Sequence, residues 1–151
     1  MNICFLDFDG VLNSDAYFAE NPRVHGDKNL DPILIARLCD FLETTDCKVV
    51  VSSTWRINTP VKELREILCR RGFRDESRVI GKTPRLGGSP RGKEIRSYLK
   101  KHPKASFVIF DDDDDMDSVE SHFVHTDPRV GLSVANVRQA EQILKTKGSL
   151  L

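Results

Sequence analysis

In the stretch Ile3-Cys4-Phe5-Leu6-Asp7-Phe8-Asp9-Gly10-Val11-Leu12-Asn13, four apolar residues run straight into two carboxylates and a glycine. A short buried strand that reaches the surface in this way delivers acidic groups at its carboxyl end, where open α/β sheets hold their ligands. Carboxylates at i and i+2 can share one cation, and a carboxylate beside Mg²⁺ can attack phosphorus and form an aspartyl-phosphate. A D-x-D pair alone is common in solvated turns, so its meaning depends on whether other segments match it.

The pattern recurs along the chain. Strands are expected at Asn2–Leu6, Lys48–Val51, Arg78–Ile80, Ser106–Phe110 and His122–His125, all short and mostly apolar, as buried parallel strands are. Helices with readable starts lie between them. Asp31-Pro32 opens one, with Leu34, Ile35, Leu38, Phe41 and Leu42 on one face. Thr59-Pro60 opens a second, with Val61, Leu64, Ile67 and Leu68 inward and Gly72 as its stop. Ser89-Pro90 opens a third, and each of these three pairs a capping side chain with proline at the first helical position. Ser133 can cap a fourth, with Val134, Val137, Ala140 and Leu144 along one stripe. Strands alternating with helices imply right-handed crossovers and a three-layer, Rossmann-like α/β fold, a mainly parallel five-stranded sheet with helices on both faces. With 151 residues, 39% hydrophobic and 30% charged, one domain over 1–151 with a single core is expected.

The strand ends supply the candidate chemistry. The first delivers Asp7 and Asp9, the second Ser52-Ser53-Thr54-Trp55-Arg56, and the fourth Asp111 to Asp115. Five successive aspartates repel one another unless a cation is near, and a divalent ion is the simplest partner. A calcium loop of the helix-loop-helix kind is disfavoured, because counting from Asp111 the sixth position is Met116 instead of Gly and the twelfth is His122 instead of Glu. Asp111 and Asp112, nearest the strand, are the expected metal ligands; the later three face solvent, with Asp115 within reach through water. Ser52 and Ser53 can hold two phosphoryl oxygens, and Arg56 can add a bidentate contact. A lysine in the first turn of a helix opposes the helix dipole, so Lys93 in Pro90-Arg91-Gly92-Lys93 is the expected cation for the site, with Lys82 its competitor.

Net charge is zero, but Lys48 to Lys104 holds 16 Lys plus Arg against 5 Asp plus Glu, while the flanks hold 7 against 18. An acidic metal site thus faces a basic middle segment. Cys4, Cys39, Cys47 and Cys69 form no C-x-x-C pair and read as reduced packing residues. The first apolar run has four residues and no basic region before it, and no stretch approaches the roughly 18 apolar residues of a membrane span. No signal peptide and no membrane partner are expected, and the expected location is the cytoplasm.

These four elements, in this order, resemble the haloacid dehalogenase (HAD) superfamily of Mg²⁺-dependent phosphatases: D-F-D-G-V at 7–11, Ser52 after K-V-V-V, Lys93, and D-D at 111–112 after F-V-I-F. More narrowly, V-S-S-T-W-R, R-G-K-E-I, F-D-D-D-D-D-M and H-T-D-P-R-V-G-L are similar to the small domains of this superfamily associated with multidomain RNA-repair proteins. The resemblance implies Asp7 as nucleophile and Mg²⁺ ligand. It implies Asp9 as general acid and base that ligates through its backbone carbonyl, Ser52 and Lys93 as phosphate holders, and Asp111 and Asp112 as further metal ligands. The interval from Asn13 to Asp31 is too short for the large cap domain many of these enzymes carry, as is Arg56 to Lys93 once its helix and strand are removed. An open site suits a phosphate on a large substrate, and the basic middle favours a polynucleotide end. A loop over 14–29 can still cover the site, with Tyr17, Arg23 and His25 as candidate contacts. Two other readings stand beside this one. A receiver domain shares the acids, Mg²⁺ and a lysine but carries its phospho-acceptor after the third strand, and a catalytically idle metal-binding module has no need of all the acids and the lysine.

Overall fold

The computed structural model of the protein describes residues 1–147. Five strands, β1 (Asn2–Leu6), β2 (Cys47–Val51), β3 (Val79–Lys82), β4 (Ser106–Asp111) and β5 (Phe123–His125), form one sheet in the order β3-β2-β1-β4-β5. Every pairing is parallel. The helices are α1 (Asp15–Glu20), α2 (Pro32–Thr45), α3 (Val61–Arg70), α4 (Arg91–Leu99) and α5 (Val134–Thr146), and positions 148–151 of the expected tail lie outside the described residues.

The sheet is buried on both faces. Along β1, Cys4 and Leu6 pack with α2, α3 and α5, while Ile3 and Phe5 pack with Ile95 and Leu99 of α4 and with Met116 and Val119. This is the period-two alternation of a strand, and it explains the continuous apolar run: neither face is left for polar residues. The expected inward set of α2, Leu34, Ile35, Leu38, Phe41 and Leu42, is buried, with Cys39 beside it. On α5 the stripe is shifted, since Ala140 and Ile143 are buried while Val134 stands 50% exposed.

The caps divide into two groups. Asp31 accepts from the Ile33 N–H at 2.9 Å, and Ser133 with Asn136 forms a reciprocal capping box. Thr59 and Ser89 do not cap: Pro60 and Pro90 take the cap position themselves in extended conformation, and neither helix has a side-chain cap from its own leading residues. Strand β3 runs to Lys82, two residues past expectation, because Arg78 belongs to a 3₁₀ turn (Glu76–Arg78) whose Asp75 caps it. Helix α1 was not expected. It is six residues long, capped by Ser14, and buries none of its side chains, so it has no apolar periodicity to read.

Chain order reverses between β1 and β4, and ligands in open α/β sheets bind where it does so. A receiver domain has the order 2-1-3-4-5, with its switch between the first and third strands. The order here, 3-2-1-4-5, differs from it. Among the described residues no helix is long and apolar enough to cross a membrane. Cys4, Cys39 and Cys47 are buried, Cys69 is half-buried, all are unpaired, and burial pushes their thiols up, away from reactive thiolates.

Candidate active site

The β1–β4 pair fixes the centre. The Asp7 N–H still donates to the Phe110 carbonyl at 3.0 Å, which sets Asp7 beside Asp111, the last residue of β4. Carboxylate oxygens of Asp7, Asp111 and Asp112 lie within 4.8 Å of one another. Asp7 Oδ1 accepts from the Phe8 N–H and Asp111 Oδ1 from the Asp113 N–H, both at 2.9 Å. Asp111 Oδ2 is buried and makes no hydrogen bond, its neighbour being the Arg91 guanidinium at 3.2 Å.

Gly10 makes the cluster possible. Its φ is +79°, and a Cβ there would run into the Asp112 carboxylate. Its carbonyl accepts from Thr126 Oγ1 at 2.9 Å and its N–H donates to Asn13 Oδ1 at 2.8 Å, so the turn after β1 is held from both sides. Asp9 leaves the cluster with its side chain. It is exposed, accepting from Asn13 Nδ2 at 2.9 Å and from Trp55 Nε1 at 3.1 Å. Asn13 and Trp55 therefore aim Asp9, and sequence reasoning gave neither that role. The only signal was an amide four residues after Asp9.

The two serines after β2 separate cleanly. Ser53 Oγ accepts from the Trp55 N–H at 3.2 Å and caps a 3₁₀ turn (Thr54–Arg56). Ser52 Oγ is buried without any partner. A hydroxyl left unsatisfied in a polar pocket is costly unless a ligand completes it.

Two expected cations need correction. Lys93 is exposed, while Arg91 occupies the site: its guanidinium lies 3.2 Å from Asp111 Oδ2 and 3.4 Å from Asp7 Oδ1, and it donates to the Ser52 carbonyl. Residues two apart on a helix do not share a face, and Arg91 and Glu94, three apart, are on the face turned inward, from which Lys93 is rotated. Burial works against the charge on Arg91, but Asp111 and Asp7 outweigh it and raise its pKa. Arg56 offers no free contact to a phosphate. It is 4% exposed and donates to the carbonyls of Thr83, Ser53 and Pro84, with Glu94 Oε2 3.0 Å away. The ammonium of Lys82, the competing candidate, donates to the carbonyls of Arg56 and Thr59.

Asp113 and Asp114 are exposed, as expected. Asp115 is half-buried, and it supplies the cap that Pro90 cannot: Oδ2 accepts from the Arg91 N–H at 2.9 Å and its carbonyl from the Gly92 N–H at 3.1 Å. A side chain at Gly92 would collide with the Met116 carbonyl, so only glycine lets α4 sit this close. In the 14–29 segment, Tyr17 is committed to the Lys28 carbonyl and to Arg71, and Arg23 and His25 are exposed.

A family described as the HAD domain in Swiss Army Knife RNA repair proteins matches residues 3–137. The chain belongs to this family. No match was found to a curated protein or to a solved structure. HAD domains generally act as phosphatases or other hydrolases and typically use Mg²⁺. In this HAD domain the donor set fits such an ion: hard carboxylate oxygens from Asp7, Asp111 and Asp112, converging and largely buried. Residues 7–31, between β1 and α2, contain only α1 and a 3₁₀ turn (Gly26–Asn29), so this interval holds no large cap.

Crowded carboxylates make the HAD domain's stability depend on pH. Burial, then for Asp111 the charge of Asp7, lifts Asp7 to about 6 and Asp111 to about 9, with Arg91 opposing both. Folded values above the ordinary 3.8 mean that, without metal, these two groups cost no stability below about pH 4 and an increasing amount as pH rises toward 9. We expect Asp111→Asn to remove much of this loss, raising the melting temperature of EDTA-treated protein at pH 8 relative to pH 4.5. A tenfold shift in one proton equilibrium is worth about 1.4 kcal/mol, which corresponds to roughly 3–5 °C in a chain of this size. Parallel melting curves for the two proteins against pH would contradict the assignment.

Proposed function

We propose that this HAD domain is a Mg²⁺-dependent phosphohydrolase that works through an aspartyl-phosphate on Asp7. The observation that carries the reading is the buried, partnerless Ser52 Oγ, whose own carbonyl meets the guanidinium that contacts both Asp7 and Asp111. A hydroxyl donor, a cation and a nucleophilic carboxylate around one point are what transfer of a phosphoryl group requires.

In the first step an Asp7 carboxylate oxygen attacks phosphorus, and the bond from phosphorus to the leaving oxygen breaks as the Asp9 carboxyl gives that oxygen a proton. Asn13 and Trp55 hold Asp9 for this transfer. In the second step Asp9 takes a proton from water, the water oxygen bonds to phosphorus, and the acyl-phosphate bond to Asp7 breaks. Ser52 Oγ–H and Arg91 hold the equatorial oxygens throughout. Asp7, Asp111 and Asp112, with the Asp9 main-chain carbonyl, would hold Mg²⁺, which supplies charge neutralisation for the attacking carboxylate and the phosphate.

The short β1–α2 interval and the basic segment from Lys48 to Lys104 support a phosphate carried on a large anion, a polynucleotide 3′-end being the reading favoured by charge. The test is phosphate release from p-nitrophenyl phosphate and from a 3′-phosphorylated oligonucleotide, with Mg²⁺ or EDTA. Release should require the metal and favour the oligonucleotide. With two or three backbone contacts, its kcat/KM should fall on the order of tenfold between 50 and 200 mM salt. Metal binding with no release from any phosphate ester would identify an idle module.

A further inference from the structure

Past the ends of β2 and β3 lies a cavity of about 200 Å³, lined by Arg56, Ile57, Asn58, Lys82, Thr83, Pro84 and Arg85. Its charged side chains are all cationic. Arg56 is neutralised by Glu94, but among the described residues neither Lys82 nor Arg85 belongs to an ion pair. Lys82 is half-buried and uses two of its three ammonium donors on the carbonyls of Arg56 and Thr59, leaving one N–H and the whole charge. A half-buried charge with neutral partners only is a place where an anion gains most.

Hydrogen bonds tie the lining of the cavity to the strand end that carries Ser52. Thr83 N–H donates to the Val51 carbonyl at 3.0 Å, one residue before Ser52, and Arg56 bridges Thr83 and Ser53 by its guanidinium. Burial lowers the Arg56 pKa, Glu94 raises it, and Arg91 and Arg85 lower it further, so the cation of the reaction centre and that of the cavity both act on one side chain.

We infer that this cavity is a subsite for a second phosphate, covalently linked to the one that reacts, held by the remaining Lys82 N–H and by the Arg85 guanidinium. The inference rests on the proposed phosphohydrolase reading and narrows its substrate to molecules with at least two phosphates, such as a strand end with its neighbouring phosphodiester or a nucleoside 3′,5′-bisphosphate. Arg56 forms the wall between the two phosphates, and the buried ion pair with Glu94 keeps that wall rigid.

The test is calorimetric binding of thymidine 3′,5′-bisphosphate, thymidine 3′-monophosphate and inorganic phosphate to the Asp7→Asn protein with Mg²⁺, which cannot consume them. The bisphosphate should bind at least about tenfold tighter than the monophosphate, as the added charge-assisted contacts to Lys82 and Arg85 provide. In the further variants Arg85→Ser and Arg85→Glu, both at an exposed position, the ratio should fall several-fold, furthest in Arg85→Glu, and Arg85→Lys should restore part of it. Equal affinity for the two nucleotides, or a ratio indifferent to residue 85, overturns the subsite. Inorganic phosphate binding as tightly as the bisphosphate, with the same dependence on Arg85, makes this a free-anion site and overturns the linked-phosphate reading. Turnover of p-nitrophenyl phosphate by the wild type is measured separately, so a protein that shows the ratio without turnover keeps the subsite and loses the proposed reaction.

Discussion

Asp7→Asn is expected to lower phosphate release by at least about 10⁴-fold while leaving the fold intact, since nucleophile removal typically costs this much or more. Asparagine fills the same space and can still accept from the Phe8 N–H through its carbonyl oxygen. It cannot form a stable acyl-phosphate, so no slow covalent route remains. The same change removes a carboxylate whose charge burial disfavours, which predicts that metal-free Asp7→Asn is no less stable than the wild type near neutral pH. Single-turnover assays with ³²P-labelled substrate should trap an acid-stable protein adduct in the wild type alone. Retained activity in the variant would mean that water attacks phosphorus directly and that Asp7 serves only as a ligand.

Glu94→Gln is expected to cost about 3–5 kcal/mol, because it leaves the Arg56 guanidinium buried and uncompensated. The side chains of this pair are 5% and 10% exposed, so solvent screens little of the loss. Glu94 Oε2 also accepts from the Leu86 N–H at 2.9 Å, so the loops after β2 and β3 and the first turn of α4 meet at one carboxylate. Chemical denaturation should show the midpoint fall with an unchanged slope. Replacing both partners, as Arg56→Met with Glu94→Leu, should recover only part, because the carbonyls of Ser53, Thr83 and Pro84 then lose their donors. A loss under about 1 kcal/mol in Glu94→Gln would show that water reaches this pair.

The correction at Arg56 shows what sequence can and cannot convey here. An arginine four residues after Ser52 at a strand end has the composition of a phosphate ligand, and nothing local distinguishes a guanidinium aimed at substrate from one aimed at three carbonyls. Its direction is decided by Glu94, 38 positions away and brought close only when α4 docks on the sheet. The same docking decides between Arg91 and Lys93. Both are cations in the first turn, and choosing between them requires the rotation of α4 about its axis, which Gly92 against Met116 sets. The residues that aim Asp9 were hidden for a related reason: Asn13 is local to the turn, but Trp55 arrives from the neighbouring strand end.

By itself the sequence determined the alternation of buried strands and helices, their near-complete burial pattern, the parallel sheet, and the delivery of Asp7, Asp9, Ser52, Asp111 and Asp112 to the strand ends. Those are short-range properties, because apolar periodicity and the abrupt change to polar residues act within a few positions of each other. Only the tertiary structure decided the order β3-β2-β1-β4-β5, the choice of Ser52 over Ser53 as the free hydroxyl, the capping of α4 by Asp115, and the exchange of Lys93 for Arg91. Each of these depends on which groups, far apart in the chain, satisfy one another's hydrogen bonds and charges once the sheet closes between them.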